Sequence, residues 1–175
     1  MTTGSGAVIQ AATQAAKVPE IVVGVDDSDA SRLALIEAVE QAVWRKATLR
    51  VVTVFESAGR FGDRYGVPIP VSDEEIARRV EVATRKIVDE VLGGAYGRPD
   101  VRLVVMAGAA GPALVEESCT AELLVVGHRG CGELASILFG SVGLYCVLHA
   151  HSPVLVVRPT TDTSNGTEEH TASSG

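Results

Sequence analysis

Residues 127–141 read GHRGCGELASILFGS, and this glycine-rich stretch decides how the rest of the chain is interpreted. A short apolar run, Leu123–Val126, comes directly before it, and the next apolar run begins after Ser141. A strand that ends on glycines and leads to a new helix leaves several backbone N–H groups unpaired and pointing in one direction. Such a group of donors binds phosphate. The flanking sequence must then distinguish a nucleotide pocket from a simple tight turn.

The composition favours a single α/β domain. The chain has 175 residues, of which 46% are hydrophobic and only 4% aromatic, so its core must be built from Val, Ile, Leu and Ala. A chain of this length commonly forms one core. Aliphatic cores of this kind are typical of sheets covered by helices.

Charge and cysteine content argue against several classes of protein. The net charge is −7 and no basic stripe is present, which argues against nucleic-acid binding. Three cysteines are an odd number and do not predict a disulfide framework. The first residues, MTTGSGAVIQAATQAAK, lack an early basic residue and a long apolar core. We therefore expect neither a signal peptide nor a membrane anchor, and a cytoplasmic location.

Hydrophobic patterning predicts five strands that alternate with four helices. The predicted strands are residues 20–26, 47–55, 100–106, 121–126 and 153–158. The predicted helices are residues 30–46, a segment that follows the Ser72 cap and stops at Gly93-Gly94, residues 112–119 and residues 141–150. The first strand is apolar on successive residues, which indicates burial on both faces of a sheet. Each strand–helix–strand unit is expected to be right-handed.

Two helices carry N-terminal signals. Ser28 or Asp29 is a suitable N-cap for the first helix, and Ser72 with Glu75 forms a capping box ahead of the second. Trp44, near the end of the first helix, is expected to serve packing rather than recognition.

Three segments lack periodic patterns. Residues 1–18 are small and polar and predict a flexible arm, and residues 160–175 predict a disordered tail. Residues 56–71 form a loop that is long for a compact domain, and long loops are more often functional than idle.

Four spaced positions resemble the ATP-binding pattern of the universal stress protein family. That pattern, G-x2-G-x9-G-[ST], is matched by Gly127, Gly130, Gly140 and Ser141 without a mismatch. The sequence GVDDS after the first strand and the final strand PVLVV add to the resemblance. It covers residues 19–159 as one domain.

The resemblance implies a three-layer α/β fold with a five-stranded parallel sheet in the order 3-2-1-4-5. This is the nucleotide-binding fold of universal stress proteins, which is similar to that of adenine nucleotide α-hydrolases. It implies a nucleotide at the carboxyl ends of strands one and four. The rule for open sheets independently places a ligand there, because the strand order reverses between these two strands.

The resemblance also implies which residues surround the nucleotide. They are Gly24, Asp26, Val54, Gly127, Gly130, Gly140, Ser141 and Val142. The loop glycines and the segment 140–142 would contact phosphate and ribose through backbone N–H groups and a hydroxyl. Asp26 would lie beside the ribose and a metal ion, and Val54 would hold adenine by its main chain. His128 and Arg129 are candidate phosphate contacts from the same loop.

No Walker A lysine accompanies these glycines, so N–H dipoles, Mg²⁺ and Arg129 would have to meet the phosphate charge. We expect ATP or another adenine nucleotide, with cyclic forms included, bound with moderate affinity together with Mg²⁺. No nucleophile–base motif and no paired glutamates are visible, so we do not expect an enzyme. The resemblance implies at most slow ATP hydrolysis or autophosphorylation.

The leading hypothesis is a stress-response regulatory protein that acts as a nucleotide-dependent dimeric switch and is recognised by an unknown partner protein. By resemblance, the fifth strand pairs with that of a second copy. One alternative is a structural dimer module without bound nucleotide.

Two other readings have less support. A phospho-receiver is suggested by Asp26-Asp27, but it needs an Asp after strand three and a Lys after strand five, where the sequence has Met106-Ala107 and Val157-Arg158. A zinc site is disfavoured because the available Cys and His residues lack C-x2-C or H-x3-H spacing. These residues are Cys131, Cys146, His149 and His151.

Overall fold

The computed structural model describes residues 18–59, 64, 71–95, 97–128 and 140–159. Within these ranges five strands alternate with four helices. The strands are β1 (Glu20–Gly24), β2 (Thr48–Phe55), β3 (Val101–Ala107), β4 (Leu123–Gly127) and β5 (Val154–Val157). The helices are α1 (Asp29–Arg45), α2 (Asp73–Gly94), α3 (Ala110–Ser118) and α4 (Ser141–His149). The predictions for the arm before residue 18, the tail from residue 160 and most of the 56–71 loop lie outside the described residues.

The five strands form one parallel sheet in the order β3-β2-β1-β4-β5. The predicted fold class is therefore confirmed. Val23 of β1 pairs with Val51 of β2 on one side and with Val125 of β4 on the other. The direction in which strands are added thus reverses between β1 and β4, which makes the carboxyl ends of these two strands the switch point of the sheet.

Helices cover both faces of the sheet. Because successive strand residues point to opposite faces, Ile21 and Val23 lie in the core beneath α1 and α2, whereas Val22 lies in the core beneath α3 and α4. Leu124 of β4 belongs to the second core and Val125 to the first. The central strands are therefore buried on both faces, as their continuous apolar runs predict.

Local backbone geometry sets the ends of the elements. β1 ends at Gly24, two residues earlier than predicted, and Asp27 then adopts a left-handed φ of 64° in the turn towards α1. α3 begins at Ala110, two residues before the predicted start, so Pro112 lies in its first turn. Proline is tolerated there because the N–H groups of a first turn have no partner within the helix.

Serine N-caps begin α1 and α2. The Ser28 side chain accepts a hydrogen bond from the Ser31 N–H, and the Ser72 side chain accepts one from the Glu75 N–H. Both caps have φ −76° and ψ 155°, so the two helices begin with the same geometry. Ser28, rather than Asp29, is the cap of α1.

The prediction that Trp44 serves packing is wrong, because its side chain is 77% exposed. The buried side of α1 includes Leu35, Val39 and Ala42. Trp44 follows Ala42 by two residues, which is about 200° around the helix, so it points away from the core. The Arg45 guanidinium lies 5.3 Å from its ring centroid.

An ion-pair network ties three elements together at the amino end of the sheet. Arg50 of β2 forms salt bridges with Glu20 of β1 and Glu117 of α3. Partial burial lowers the pKa of the Arg50 guanidinium, but hydrogen bonds to Glu117 and Glu20 raise it by more. Arg50 therefore stays charged and pairs with the buried Glu20 carboxylate.

Within the described residues no helix is both long and apolar enough to cross a membrane.

Candidate functional site

The carboxyl end of β4 contacts the first turns of two helices. A Cβ added at Gly127 would lie 2.7 Å from the backbone C and O atoms of Ala30 in α1. A Cβ added at Gly143 in α4 would lie 3.5 Å from the Gly127 carbonyl oxygen. Gly127 is thus required by a close backbone approach. This approach brings the end of β4 and the beginnings of α1 and α4 to one place.

The residues that flank the segment between β4 and α4 are hydrogen-bonded to each other. The Gly140 N–H donates to the His128 carbonyl at 2.7 Å, and the His128 N–H donates to the Val157 carbonyl of β5 at 2.8 Å. These two bonds fix the beginning of α4 at the carboxyl end of β4. The Gly140 N–H is already used in this closure, so the predicted phosphate contact through that group is not supported. Arg129 and Gly130 lie outside the described residues.

α4 begins without a side-chain cap. Its N-cap is Gly140, whereas α1 and α2 have serine caps. The first helical bond is from the Leu144 N–H to the Gly140 carbonyl at 3.0 Å. The N–H groups of Ser141, Val142 and Gly143 have no hydrogen-bond partner among the described residues. An uncapped helix N-terminus with several such donors can bind a phosphate group.

Asp26 lies on the facing side of the switch point, directly after β1. Its side chain is exposed, and Oδ1 accepts hydrogen bonds from the Ser28 hydroxyl at 2.6 Å and the Ser28 N–H at 3.3 Å. The Asp26 N–H donates to the Ser31 Oγ at 3.3 Å. The backbone and the carboxylate of Asp26 are therefore both held by the start of α1.

Arg32 holds the next residue of the same loop. Its guanidinium lies 3.0 Å from the Asp27 carboxylate and 3.0 Å from the Glu90 carboxylate of α2. Hydrogen bonds to Glu90 and Asp27 raise the pKa of Arg32. Asp27, whose side chain is 72% exposed, is thus one end of an ion pair, and Arg32 ties the loop after β1 to α2.

Val54 presents main-chain groups to the same edge of the sheet. Along β2, backbone groups point alternately to β1 and β3, since Val52 accepts from the Val25 N–H and Phe55 accepts from the Gly108 N–H. The N–H and C=O of Val54 therefore point towards the β1 side, beyond the point where β1 ends. Neither group has a hydrogen-bond partner in the described part of the chain. One donor and one acceptor thus lie side by side at the edge of the switch point.

Gly24 has a packing reason for its small size. A Cβ added there would lie 2.9 Å from the Leu114 Cδ1 in α3. Gly24 thus lets α3 approach the end of β1. The structure brings Asp26, Val54 and the start of α4 to the carboxyl edge of the sheet. Gly24 contributes by allowing Leu114 of α3 to pack against this edge.

The three candidate zinc ligands in the described ranges do not come together. The Cys146 thiol is buried in the core between α4 and the sheet, and burial raises its pKa to about 11. His149 is exposed on the same helix, where its ring stacks on Tyr145 with centroids 4.3 Å apart. In the described ranges no three His, Cys, Asp or Glu side chains could hold a metal together. Cys131 lies outside those ranges.

The sequence did not reveal the contribution of Ser31, and it identified Ser28 only as a helix cap. Ser31 is only 3% exposed and contacts the backbone of Asp26. The available signal was the spacing itself: a serine at the N-cap, a second serine three residues later, and an acid two residues before the cap.

Comparisons with known proteins identify the family of this chain. The model of the universal stress protein family matches residues 18–158. Universal stress protein Rv2624c of Mycobacterium tuberculosis is 31% identical over 144 residues, which are 81% of this chain and 49% of that protein. The chain spans about half the length of the curated relatives it matches.

Two solved structures are also similar. A universal stress protein in complex with cAMP is 27% identical with a TM-score of 0.57, and the match covers 80% of this chain and 96% of that one. The universal stress protein of Archaeoglobus fulgidus in complex with dAMP is 26% identical with a TM-score of 0.52, and the match covers 81% of this chain and 98% of that one. Since the family model spans most of the chain and the fold agrees, this protein belongs to the universal stress protein family.

Proposed function

We propose that this protein is a stress-response regulator that binds ATP or another adenine nucleotide at the carboxyl ends of β1 and β4. The observation that carries the proposal is the uncapped start of α4, fixed beside the end of β4 by the bond between Gly140 and His128. That arrangement offers several N–H donors to one phosphate group. The relatives solved with cAMP and dAMP support an adenine nucleotide as the ligand.

Each part of such a nucleotide has a suitable counterpart. The N–H groups of Ser141, Val142 and Gly143, with the Ser141 hydroxyl, would bind phosphate. The C=O and N–H of Val54 match the adjacent donor and acceptor on the Watson–Crick edge of adenine. The Asp26 carboxylate would accept hydrogen bonds from ribose hydroxyl groups.

Mg²⁺ fits this arrangement as a companion of the phosphates. Mg²⁺ is usually held by one or two carboxylates together with substrate phosphates, and keeps several waters. Asp26 is the carboxylate at this edge that would contribute a ligand. When bound, the ion would neutralise part of the phosphate charge.

We propose binding, rather than turnover, as the purpose of the site. The Asp26 carboxylate is held through Oδ1 by Ser28, which suits a fixed ligand contact. Slow hydrolysis or autophosphorylation would need only bound nucleotide, Mg²⁺ and water. Free thiols at Cys119 and Cys146 are consistent with a reducing compartment, and we place the protein in the cytoplasm.

We further propose that β5 pairs with β5 of a second copy, so that a homodimer presents the nucleotide state to a regulatory partner. β5 is an edge strand of the sheet, and no charged residue occurs from Ser141 to Val157. On neighbouring α4, Leu144, Val147 and Leu148 are exposed by 44%, 49% and 67%. An apolar edge of this kind needs a partner to cover it.

The function is tested by denaturing the purified protein, identifying any released nucleotide by mass spectrometry, and titrating the refolded apoprotein with ATP in a thermal-shift assay. A ligand present at about 100 times its Kd adds about 2.7 kcal/mol to the free energy of unfolding, so the melting temperature should rise by several degrees. GTP is the matched control, because its base edge is a poor match for the Val54 pair. Absence of both a released adenine nucleotide and an ATP-dependent shift would refute the proposal.

A further inference from the structure

We propose that Ser31, together with Ser28, is a positioning residue that orients Asp26 in the nucleotide cleft before the ligand binds. This inference rests on the proposed function, because it assigns Asp26 to the ribose. Neither serine is assigned a ligand contact. Their effect on binding is exerted through Asp26.

Ser31 joins the helix to the loop. Its Oγ accepts the Asp26 N–H at 3.3 Å and donates to the Ser28 carbonyl at 2.9 Å, while its own N–H donates to the Ser28 Oγ at 3.1 Å. The side chain is 3% exposed, so water cannot readily replace these bonds. Ser31 therefore fixes the amide of Asp26 against the first turn of α1.

Ser28 completes the arrangement at the other end of Asp26. Its hydroxyl donates to Asp26 Oδ1 at 2.6 Å and accepts from the Ser31 N–H. A hydroxyl has a single hydrogen to donate, and each of the two serines uses it once, Ser31 towards the Ser28 carbonyl and Ser28 towards the carboxylate. The hydrogen-bond directions are therefore mutually consistent, and the network holds both the backbone and the carboxylate of Asp26.

The loop between these contacts has an uncommon backbone conformation. Asp27 adopts φ 64°, a region that residues other than glycine rarely occupy. The Arg32 guanidinium holds the Asp27 carboxylate. Such a conformation persists only where the surroundings determine it strongly. The contacts of Ser28, Ser31 and Arg32 supply that determination, so the direction of Asp26 is set in advance.

A second serine-capped helix shows that capping alone does not explain this network. Ser72 caps α2 with the same φ and ψ as Ser28, through a 3.3 Å bond from the Glu75 N–H. The residue two positions before Ser72 is Pro70, whereas Asp26 stands two positions before Ser28, so the Ser72 hydroxyl has no equivalent carboxylate to hold. Ser72→Ala therefore removes an equivalent cap without loosening Asp26. It is the matched control for any change at Ser28 or Ser31.

The expected effect of losing this orientation is confined to ligands that have ribose hydroxyl groups. A carboxylate that is already oriented binds hydroxyl groups without the cost of ordering it first. Loosening Asp26 should weaken binding of ATP and should have little effect on 2′,3′-dideoxy-ATP, which lacks the ribose hydroxyls. A purely structural loss would weaken both ligands equally.

The test compares calorimetric Kd values for ATP and 2′,3′-dideoxy-ATP in the wild type, Ser31→Ala, Asp26→Asn, the double variant and Ser72→Ala. We expect the wild type to prefer ATP, and Ser31→Ala to reduce that preference by about threefold to tenfold, the range for one or two lost hydrogen bonds. The double variant should lose no more preference than Asp26→Asn alone, because both changes act through one carboxylate. Ser72→Ala should keep the wild-type preference.

A readout without nucleotide separates this inference from the proposed function. Hydrogen exchange at the Asp26 amide should accelerate in Ser31→Ala and remain unchanged in Ser72→Ala. If Ser31→Ala is too unstable to purify, Ser28→Ala replaces it and Ser28→Thr, which keeps the hydroxyl, should restore the preference for ATP. An unchanged preference in a folded serine variant, or an Asp26 amide that exchanges at the wild-type rate, would overturn the positioning role while leaving nucleotide binding intact. Failure of the wild type to bind either ligand would overturn the proposed function itself.

Discussion

Gly127 shows how a single residue can be required for packing and, at the same time, shape the proposed binding site. Its Cα lies where the end of β4 passes the first turn of α1, and a Cβ there would meet backbone atoms that cannot move without shifting the helix. The glycine pattern that resembles a nucleotide loop is therefore explained, at this position, by contact within the protein. The proposed nucleotide site would depend on the same residue, because Gly143 in the first turn of α4 approaches the Gly127 carbonyl oxygen.

We expect Gly127→Ala to destabilise the fold by about 1–3 kcal/mol, the usual cost of overpacking, and to weaken ATP binding. Gly93→Ala is the matched control, because nothing lies within 4 Å of a Cβ at Gly93 in α2. The control should be neutral or slightly stabilising, since alanine favours helix over glycine. Urea denaturation measures both variants. Equal stability of the two would contradict the close contact described for Gly127.

The two described cysteines should differ in reactivity. Burial raises the pKa of the Cys146 thiol to about 11, so it stays protonated at pH 8, and its thiolate forms only as the pH approaches that value. Cys119 is exposed. Peptide mapping after iodoacetamide treatment at pH 8 should therefore find Cys119 modified and Cys146 unmodified until urea unfolds the protein. Rapid modification of native Cys146 would show that α4 does not bury this thiol against the sheet.

At the scale of elements, α4 is the helix on which the proposed phosphate site depends. The N-cap residue Gly140 has φ −64° and ψ 155°, a conformation that suits a residue before proline. Proline is also favoured at the first position of a helix. Position 141 can therefore lose its N–H group without loss of the helix.

This permits a comparison of two variants at one residue. Ser141→Ala removes only the hydroxyl, whereas Ser141→Pro removes the hydroxyl and the N–H. If N–H dipoles bind the phosphate, Ser141→Pro should raise the Kd for ATP about tenfold further than Ser141→Ala does, the effect of one charge-assisted hydrogen bond. Circular dichroism should show unchanged helix content. Equal Kd values for the two variants would argue against a phosphate contact by this N–H.

The sequence predicted the elements better than their ends. Continuous apolar runs identified the strands, because strands buried on both faces contain few polar residues. Their ends depend on single backbone angles, such as φ at Asp27, that no composition reveals. The assignment of Trp44 to packing is wrong because a difference of two positions along a helix moves a side chain from the buried side to the exposed side. The structure was needed to show that the Gly140 N–H bonds to the His128 carbonyl. It was also needed for the direction of the Val54 N–H and C=O, because that direction depends on strand register.

At the scale of the whole molecule, the open edge of β5 determines the proposed assembly. Residues Pro153 and Val157 bond to β4, since their carbonyls accept from the Leu124 and His128 N–H groups. By alternation, the N–H and C=O of Val154 and Val156 point away from the sheet. These outward groups are the ones that a second copy would pair.

Val156→Pro should therefore block dimerisation and preserve the protomer. Proline removes an outward N–H without breaking the bonds between β5 and β4, and it is tolerated on edge strands. We expect light scattering after gel filtration to show a dimer for the wild type and a monomer for Val156→Pro, with ATP still bound by the variant. A wild-type monomer, or a Val156→Pro dimer, would contradict pairing through β5.

The most direct test of the account is a titration of the ¹⁵N-labelled protein with Mg-ATP, followed by NMR. We predict saturable shifts of the amide signals of Val54, Ser141, Val142 and Gly143, together with that of Asp26. Amides of the α2 surface at Val82 and Arg85 serve as internal references and should not move. Absence of shifts, or saturable shifts confined to residues away from the carboxyl ends of β1, β2 and β4, would contradict an adenine-nucleotide site at the switch point of the sheet.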